Sequence, residues 1–282
     1  MFGKVRSWMA LFVWIMIAIE LLVIIGFLKG NMKDSGNIAI VKVEGPIQAS
    51  DEIVAGIQKY QNDDKVKAMV IRVDSPGGAV GASQEIHDAI IKAKVKKPVV
   101  ASFGNTAASG GYYIGVACDK IISDPGTITG SIGVISQYFR VENILKKLNL
   151  EWDVIKSGKN KDIGSPLKEM DLEQKQLMQG LIDDIYDQFV EAVAAGRQMD
   201  IEKVKPLADG RVYTGRQAKA LGLVDDMGGI QRAVEIAADL AKLEVKEVKT
   251  FTFPKKKMSL MESVTGQAKW LPDSMSVQYR MP

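Results

Sequence analysis

The chain has 282 residues, 46% of them apolar and 25% charged, which is enough for one large domain or two small ones with appendages. A net charge of +3, with 37 basic residues scattered among 34 acidic ones, argues against a basic nucleic-acid-binding stripe. The single cysteine, Cys118, excludes an intrachain disulfide framework and any multi-cysteine metal site, and the single histidine, His87, excludes two-histidine zinc motifs.

Residues 1–7 form a short N-terminal flank. Trp8 to Leu28 is one apolar run, WMALFVWIMIAIELLVIIGFL. About 20 residues at a rise of about 1.5 Å each cross a hydrocarbon core of about 30 Å, so the run is predicted to be a transmembrane helix. Lys29-Gly30-Asn31 follows in place of a small-residue cleavage motif, which predicts an uncleaved signal anchor over 8–28. Lys4 and Arg6 before it and Lys29 and Lys33 after it give little orientation from charge. Glu20 interrupts the run at a cost of about 2.5–3.5 kcal/mol if ionised. A protonated carboxyl and a contact with another helix both fit it.

Residues 29–36 read as a linker, and 37–253 as the folded body. Strands are predicted at Ile38 to Val43, Ala68 to Val73, Pro98 to Phe103 and Lys120 to Ser123. Helices are predicted at Ala49 to Gln61, Val80 to Lys96 and Ser109 to Ala117. This alternation implies an α/β fold with parallel strands. A long amphipathic helix spans Leu172 to Met199, a further helix Ile230 to Leu243, and a closing strand Glu247 to Phe253. Residues 254–282 open on Pro254-Lys255-Lys256-Lys257 and read as a C-terminal tail. Cys118 ends an apolar run and reads as a small buried hydrophobe. His87 falls on a helix surface, so a hydrolase built on this chain needs a base other than histidine.

Three motifs carry chemistry. Asp74-Ser75-Pro76-Gly77-Gly78 joins a buried strand to a helix. Its glycines allow a sharp turn, and amides at a helix N-terminus suit the oxyanion of an acyl-transfer transition state, although a plain connecting turn also fits. Gly104-Asn105-Thr106-Ala107-Ala108-Ser109-Gly110-Gly111 places Ser109 after a strand and a small-residue loop, at the mouth of a helix. That position suits a nucleophile with the Gly110 amide beside it, and it equally suits a helix-capping serine. Lys156-Ser157-Gly158-Lys159-Asn160-Lys161-Asp162 is a lysine-bearing loop after a predicted strand. A catalytic lysine must act as a neutral amine although its ordinary pKa is about 10.4, and burial against apolar walls is one way to achieve that. Which lysine is buried stays open.

These motifs in this order, followed by Asp209-Gly210-Arg211-Val212-Tyr213-Thr214-Gly215 and Leu221-Gly222-Leu223-Val224-Asp225, resemble the short form of bacterial signal peptide peptidase, over about Asn37 to Leu243. The first two motifs are shared more loosely with the Clp protease and crotonase superfamily. The resemblance implies a crotonase/Clp-protease-like parallel sheet core with helices. It implies a Ser–Lys endopeptidase with Ser109 as nucleophile and Lys161 as general base, Lys159 being the rival. Ser131, in Thr129-Gly130-Ser131-Ile132-Gly133, would orient the lysine, and the amides of Gly78 (or Gly77) and Gly110 would form the oxyanion hole. No metal and no organic cofactor is implied. Substrates would be cleaved signal peptides and other unfolded apolar segments. The catalytic domain would lie on the extracytoplasmic side of the cytoplasmic membrane, in a homo-oligomer whose active sites are shared between subunits. Two other readings compete: a crotonase-type acyl-CoA enzyme, and a non-catalytic membrane scaffold. Labelling of Ser109 by a fluorophosphonate separates the first from the peptidase, and peptide hydrolysis separates the second.

Overall fold

The computed structural model describes residues 14–17, 20–21 and 36–254. The chain divides into two units, Met1–Gly36 and Asn37–Pro282. In the first, residues 14–17 and 20–21 are helical. The rest of the run expected to span a membrane lies outside the described residues, as does the tail from residue 255. Among the described residues no helix is long and apolar enough to cross a membrane.

The second unit opens with the expected alternation. Strand β1 is Ile38–Glu44, helix α1 Asp51–Gln61, β2 Ala68–Ser75, α2 Val80–Lys94, β3 Val99–Ala108, α3 Gly110–Val116 and β4 Lys120–Ser123. Then come β5 Ile128–Gly130, α4 Glu142–Lys147, the long α5 Leu172–Arg197, α6 Ile201–Val204, β6 Val212–Thr214, α7 Gly215–Ala220, β7 Asp226–Met227, α8 Ile230–Leu240 and β8 Thr250–Phe253. The strands form a sheet in the order β6-β5-β3-β2-β1-β8, with β4 joined to β3 and β7 joined to β4. Every pairing is parallel except β5 with β6. Such a sheet is covered on both faces, which explains why β2 reads as a near-continuous branched apolar run. One face carries the larger core, in which Ile57, Tyr60, Ile86, Ile90, Tyr112 and Ile114 pack against the strands. The other packs Ile38, Val70, Val100 and Ile122 against Ala233 and Ala237 of α8.

Two expectations need correction. β3 does not end at Phe103 but runs through Gly104-Asn105-Thr106-Ala107-Ala108, which had the composition of a loop. Asp74 explains this: its carboxylate accepts from the Thr106 amide at 3.1 Å and from Asn105 Nδ2 at 3.1 Å, carrying the strand across a register shift. The first half of β3 pairs with β4 and the second half with β5, so the sheet forks there. The second correction concerns the strand expected before the lysine loop. Among the described residues, 151–156 pair with no strand, and Trp152, Val154 and Ile155 stand exposed.

Candidate active site

In open parallel sheets, ligand sites gather beyond the carboxyl ends of the strands. The turn after β2 carries Gly77 and Gly78, the turn after β3 carries Ser109, and the turn after β5 carries Ser131. The fold brings these turns together around one cavity of about 670 Å3, lined by Gly78, Ser109, Gly110 and Ser131 among others.

Ser109 sits at φ 52°, ψ −123°. Non-glycine residues rarely take a positive φ, and such strain concentrates at functional turns. Its amide donates to the Gly130 carbonyl at 2.9 Å and its carbonyl accepts from the Tyr113 amide at 2.9 Å, so the backbone is held on both sides. The side chain makes no capping hydrogen bond to α3. The helix-cap reading therefore fails, and the hydroxyl remains at the cavity wall. Ser131 is held in the same way, at φ 50°, with its amide donating to the Arg211 carbonyl at 2.8 Å.

The glycine turn is pinned by Ile47, whose amide donates to the Gly77 carbonyl at 2.9 Å and whose carbonyl accepts from the Ala79 amide at 2.7 Å. This is a parallel bridge between Ile47 and Gly78. In such a bridge the N–H of the middle residue points away from the partner, here to the side opposite Ile47. The Gly77 amide is engaged within its own turn, donating to Ser75 Oγ at 3.1 Å. Gly77, at φ +99°, has no room for a side chain: a Cβ would lie 2.7 Å from the Gly110 nitrogen and 2.8 Å from Ser109 Cβ. The two glycine-bearing turns are thus packed backbone to backbone, with the Gly78 nitrogen 3.4 Å from the position of a Cβ on Gly110.

The walls came from residues that the sequence did not single out. Ser83 of α2 lies against Gly110 and donates its hydroxyl to the Ala79 carbonyl at 2.9 Å. From α3, Tyr113 packs edge-on against Phe189 of α5, ring centres 5.1 Å apart. Ile182, Tyr186 and Phe189 recur at helical spacing along α5 and line the cavity. That periodicity marks a buried face, but not the site it faces.

Lys161 is not brought to Ser109 within the chain. It is exposed and lines a separate, shallow depression with Trp152, Ile155 and Ile163. The other lysines of this segment are engaged. Lys156 pairs with Asp162 at 2.7 Å, Lys168 with the same carboxylate at 3.0 Å, and Lys159 with Glu173. The hydrogen bond and charge of Glu173 raise the Lys159 ammonium above its ordinary pKa. Lys161 has no carboxylate partner among the described residues. Beside it, the buried Asn160 Oδ1 has no donor among the described residues.

His87 is not among the residues that line the Ser109 cavity. It packs on Tyr113, with ring centres 4.8 Å apart, behind the cavity wall. Burial pushes its imidazole below the ordinary value, outweighing the opposing effect of Asp88. Cys118 is buried, and burial pushes its thiol up, in keeping with an inert core residue.

The model of peptidase family S49 matches residues 91–244, and the model named Clp protease matches residues 32–123. The chain belongs to peptidase family S49. A Synechocystis sp. protein that carries the name of a protease, slr0021, is 45% identical over 81% of this chain and 83% of its own length. Protease 4 of Salmonella typhi is 36% identical over 90% of this chain and 43% of its own length. An Enterococcus faecium protein named for signal peptide peptidase SppA is 43% identical over 64% of this chain and 52% of its own length. This S49 peptidase is of the SppA type and is a serine endopeptidase. The parallel-dominated α/β sheet of the S49 peptidase agrees with the Clp-protease-like fold that the resemblance implies.

Proposed function

We propose that this S49 peptidase is a membrane-bound endopeptidase that hydrolyses cleaved signal peptides and other unfolded apolar peptides through a Ser109–Lys161 dyad. The observation that carries the reading is the strained, uncapped Ser109 at the wall of a largely apolar cavity, against the Gly78 turn. In this mechanism the neutral Lys161 amine takes the Ser109 proton as Oγ attacks the scissile carbonyl. The Gly78 and Gly110 amides stabilise the oxyanion, and the lysine returns the proton to the leaving amine. An acyl-enzyme remains. Water, deprotonated by the same lysine, then attacks the ester, and the lysine passes that proton to the departing Ser109 Oγ, which frees the acid product and restores the neutral amine. Ser131, at the same cavity, would hold the amine in line.

In this reading Lys161 reaches Ser109 from a neighbouring copy. Two observations support it: the lysine is exposed away from Ser109's cavity, and the segment around it presents large apolar side chains to solvent. Ile155 is fully exposed, Trp152 66% exposed and Val154 50%. Apolar surface on this scale marks an association site. A second copy covering it would also strip water from the amine, which disfavours an ammonium. The anchor run would hold the copies together in a membrane, with their catalytic units on the extracytoplasmic side. The test is hydrolysis of synthetic signal peptides by the full chain in detergent micelles, with Ser109→Ala beside it. Hydrolysis that survives Ser109→Ala sinks the proposal.

A further inference from the structure

The cavity walls are mainly apolar, with Val80, Ile182, Tyr186 and Phe189 among them, yet two carboxylates also line it: Asp183 and Asp209. They differ in kind. Asp209 is neutralised by Arg211, whose Nε lies 2.7 Å from one of its oxygens and 2.8 Å from the other. Among the described residues Asp183, on α5, accepts from one side-chain donor, the neutral Gln179 Nε2 at 2.7 Å. No lysine or arginine lines the cavity among the described residues. Asp183 therefore sets a carboxylate with no cationic partner among the described residues at the exposed edge of a greasy pocket.

That pairing of features matches one kind of side chain. Lysine and arginine carry an alkyl stem that packs on apolar walls and a charged end that stays near water. We infer that Asp183 makes this peptidase favour substrates with a basic side chain at one fixed position from the scissile bond. The stem would lie along the wall formed by Ile182 and Tyr186, and the charged end would meet the Asp183 carboxylate. The inference rests on the peptidase reading of Ser109. Asp184, its neighbour in sequence, accepts from Gln188 at 2.8 Å and does not line the cavity, so it serves as a control for charge alone.

The experiment uses the full chain in detergent micelles and fluorogenic peptides of one length. In each pair, lysine or glutamine occupies one position, and the position is moved along the peptide. The readout is the ratio of kcat/KM for the lysine and glutamine members, which does not depend on how much of a preparation is folded. At one position the ratio should be about two- to fivefold, the range for an exposed ion pair, and should shrink as salt is raised. Asp183→Asn should bring it to one, Asp183→Lys should favour a glutamate peptide instead, and Asp184→Asn should leave the lysine preference in place. A ratio of one at every position in the unaltered chain, or a preference that survives Asp183→Asn, overturns the inference. So does a ratio left intact while the pH profile moves, which would tie Asp183 to the general base. Absence of Ser109-dependent hydrolysis on every peptide sinks the peptidase reading and this inference together.

Discussion

A side chain on Gly77 would put its Cβ 2.7 Å from the amide nitrogen of Gly110. The two turns that carry the proposed oxyanion donors are therefore spaced by the absence of one methyl group, and Gly77 also holds φ +99°. Gly77→Ala should strain the backbone by about 1–3 kcal/mol and push the β3–α3 turn away. Loss of oxyanion geometry should lower kcat by about 100-fold or more, in a protein that still melts cooperatively. Calorimetry beside peptide hydrolysis checks this. Unchanged kcat would mean that the turn spacing is not part of the chemistry.

The lysines of residues 156–168 are separated by their partners. Lys161→Met keeps an apolar stem and removes the amine, so it should cost about 100- to 10,000-fold in kcat. Lys159→Met removes an ammonium that is already committed to Glu173 and should retain most activity. Circular dichroism and melting temperature should stay near those of the unaltered chain in both. A dead Lys159→Met with an active Lys161→Met reverses the assignment.

Asp162 clamps this loop by accepting from Lys156 and Lys168, and those hydrogen bonds pull its carboxyl down to about 2. A carboxylate with a depressed pKa stabilises the folded loop above its unfolded value of about 3.9, and that contribution is lost as pH falls through about 2. The clamp is thus constant across neutral and alkaline pH. Asp162→Asn should release Lys156 and Lys168, let the Lys161 backbone wander and lower kcat/KM by about 10- to 100-fold at every pH above 5. A loss confined to acid pH would show that Asp162 acts by titrating rather than by clamping.

His87 supplies a separate pH test. Activity that depends on deprotonating a lysine should rise with pH, and His87→Gln should leave that rise in place. Stability should respond instead. Because burial lowers the imidazole below 6.5, the unfolded chain binds its proton more readily, and stability should decline as pH falls below that value. The decline should be smaller in His87→Gln. Loss of the alkaline rise in this variant would return histidine to the mechanism.

Much of this site was legible because backbone turns write themselves into sequence. Glycine pairs after branched apolar strands announced the β2 and β3 turns, and Ser109, Ser131, Gly78 and Gly110 line one cavity. What stayed hidden depends on contacts distant in sequence. The Asp74 carboxylate turned Gly104 to Ala108 into strand, although their composition suits a loop. The cavity wall from Ile182 to Phe189 looked like any core-facing helix stripe. Among the described residues the strand expected before Lys156 is not formed, and its apolar residues signal burial without naming what buries them.

The separation of Lys161 from Ser109 leads to the most decisive prediction. If each site takes its serine from one copy and its lysine from the next, two inactive proteins should repair each other. Ser109→Ala retains Lys161, and Lys161→Met retains Ser109. Co-expressed with different tags, they should form interfaces in which an intact Ser109 faces an intact Lys161. In a head-to-tail ring mixed at equal amounts, the chance of an intact serine is one half and of an intact facing lysine one half, so about a quarter of sites should be restored. Peptide hydrolysis should follow that fraction and fall as either variant is diluted out. Purification through both tags confirms mixing. Doubly tagged oligomers without activity would show that each chain supplies its own pair, and that the loop bearing Lys161 must fold back over Ser109 before catalysis.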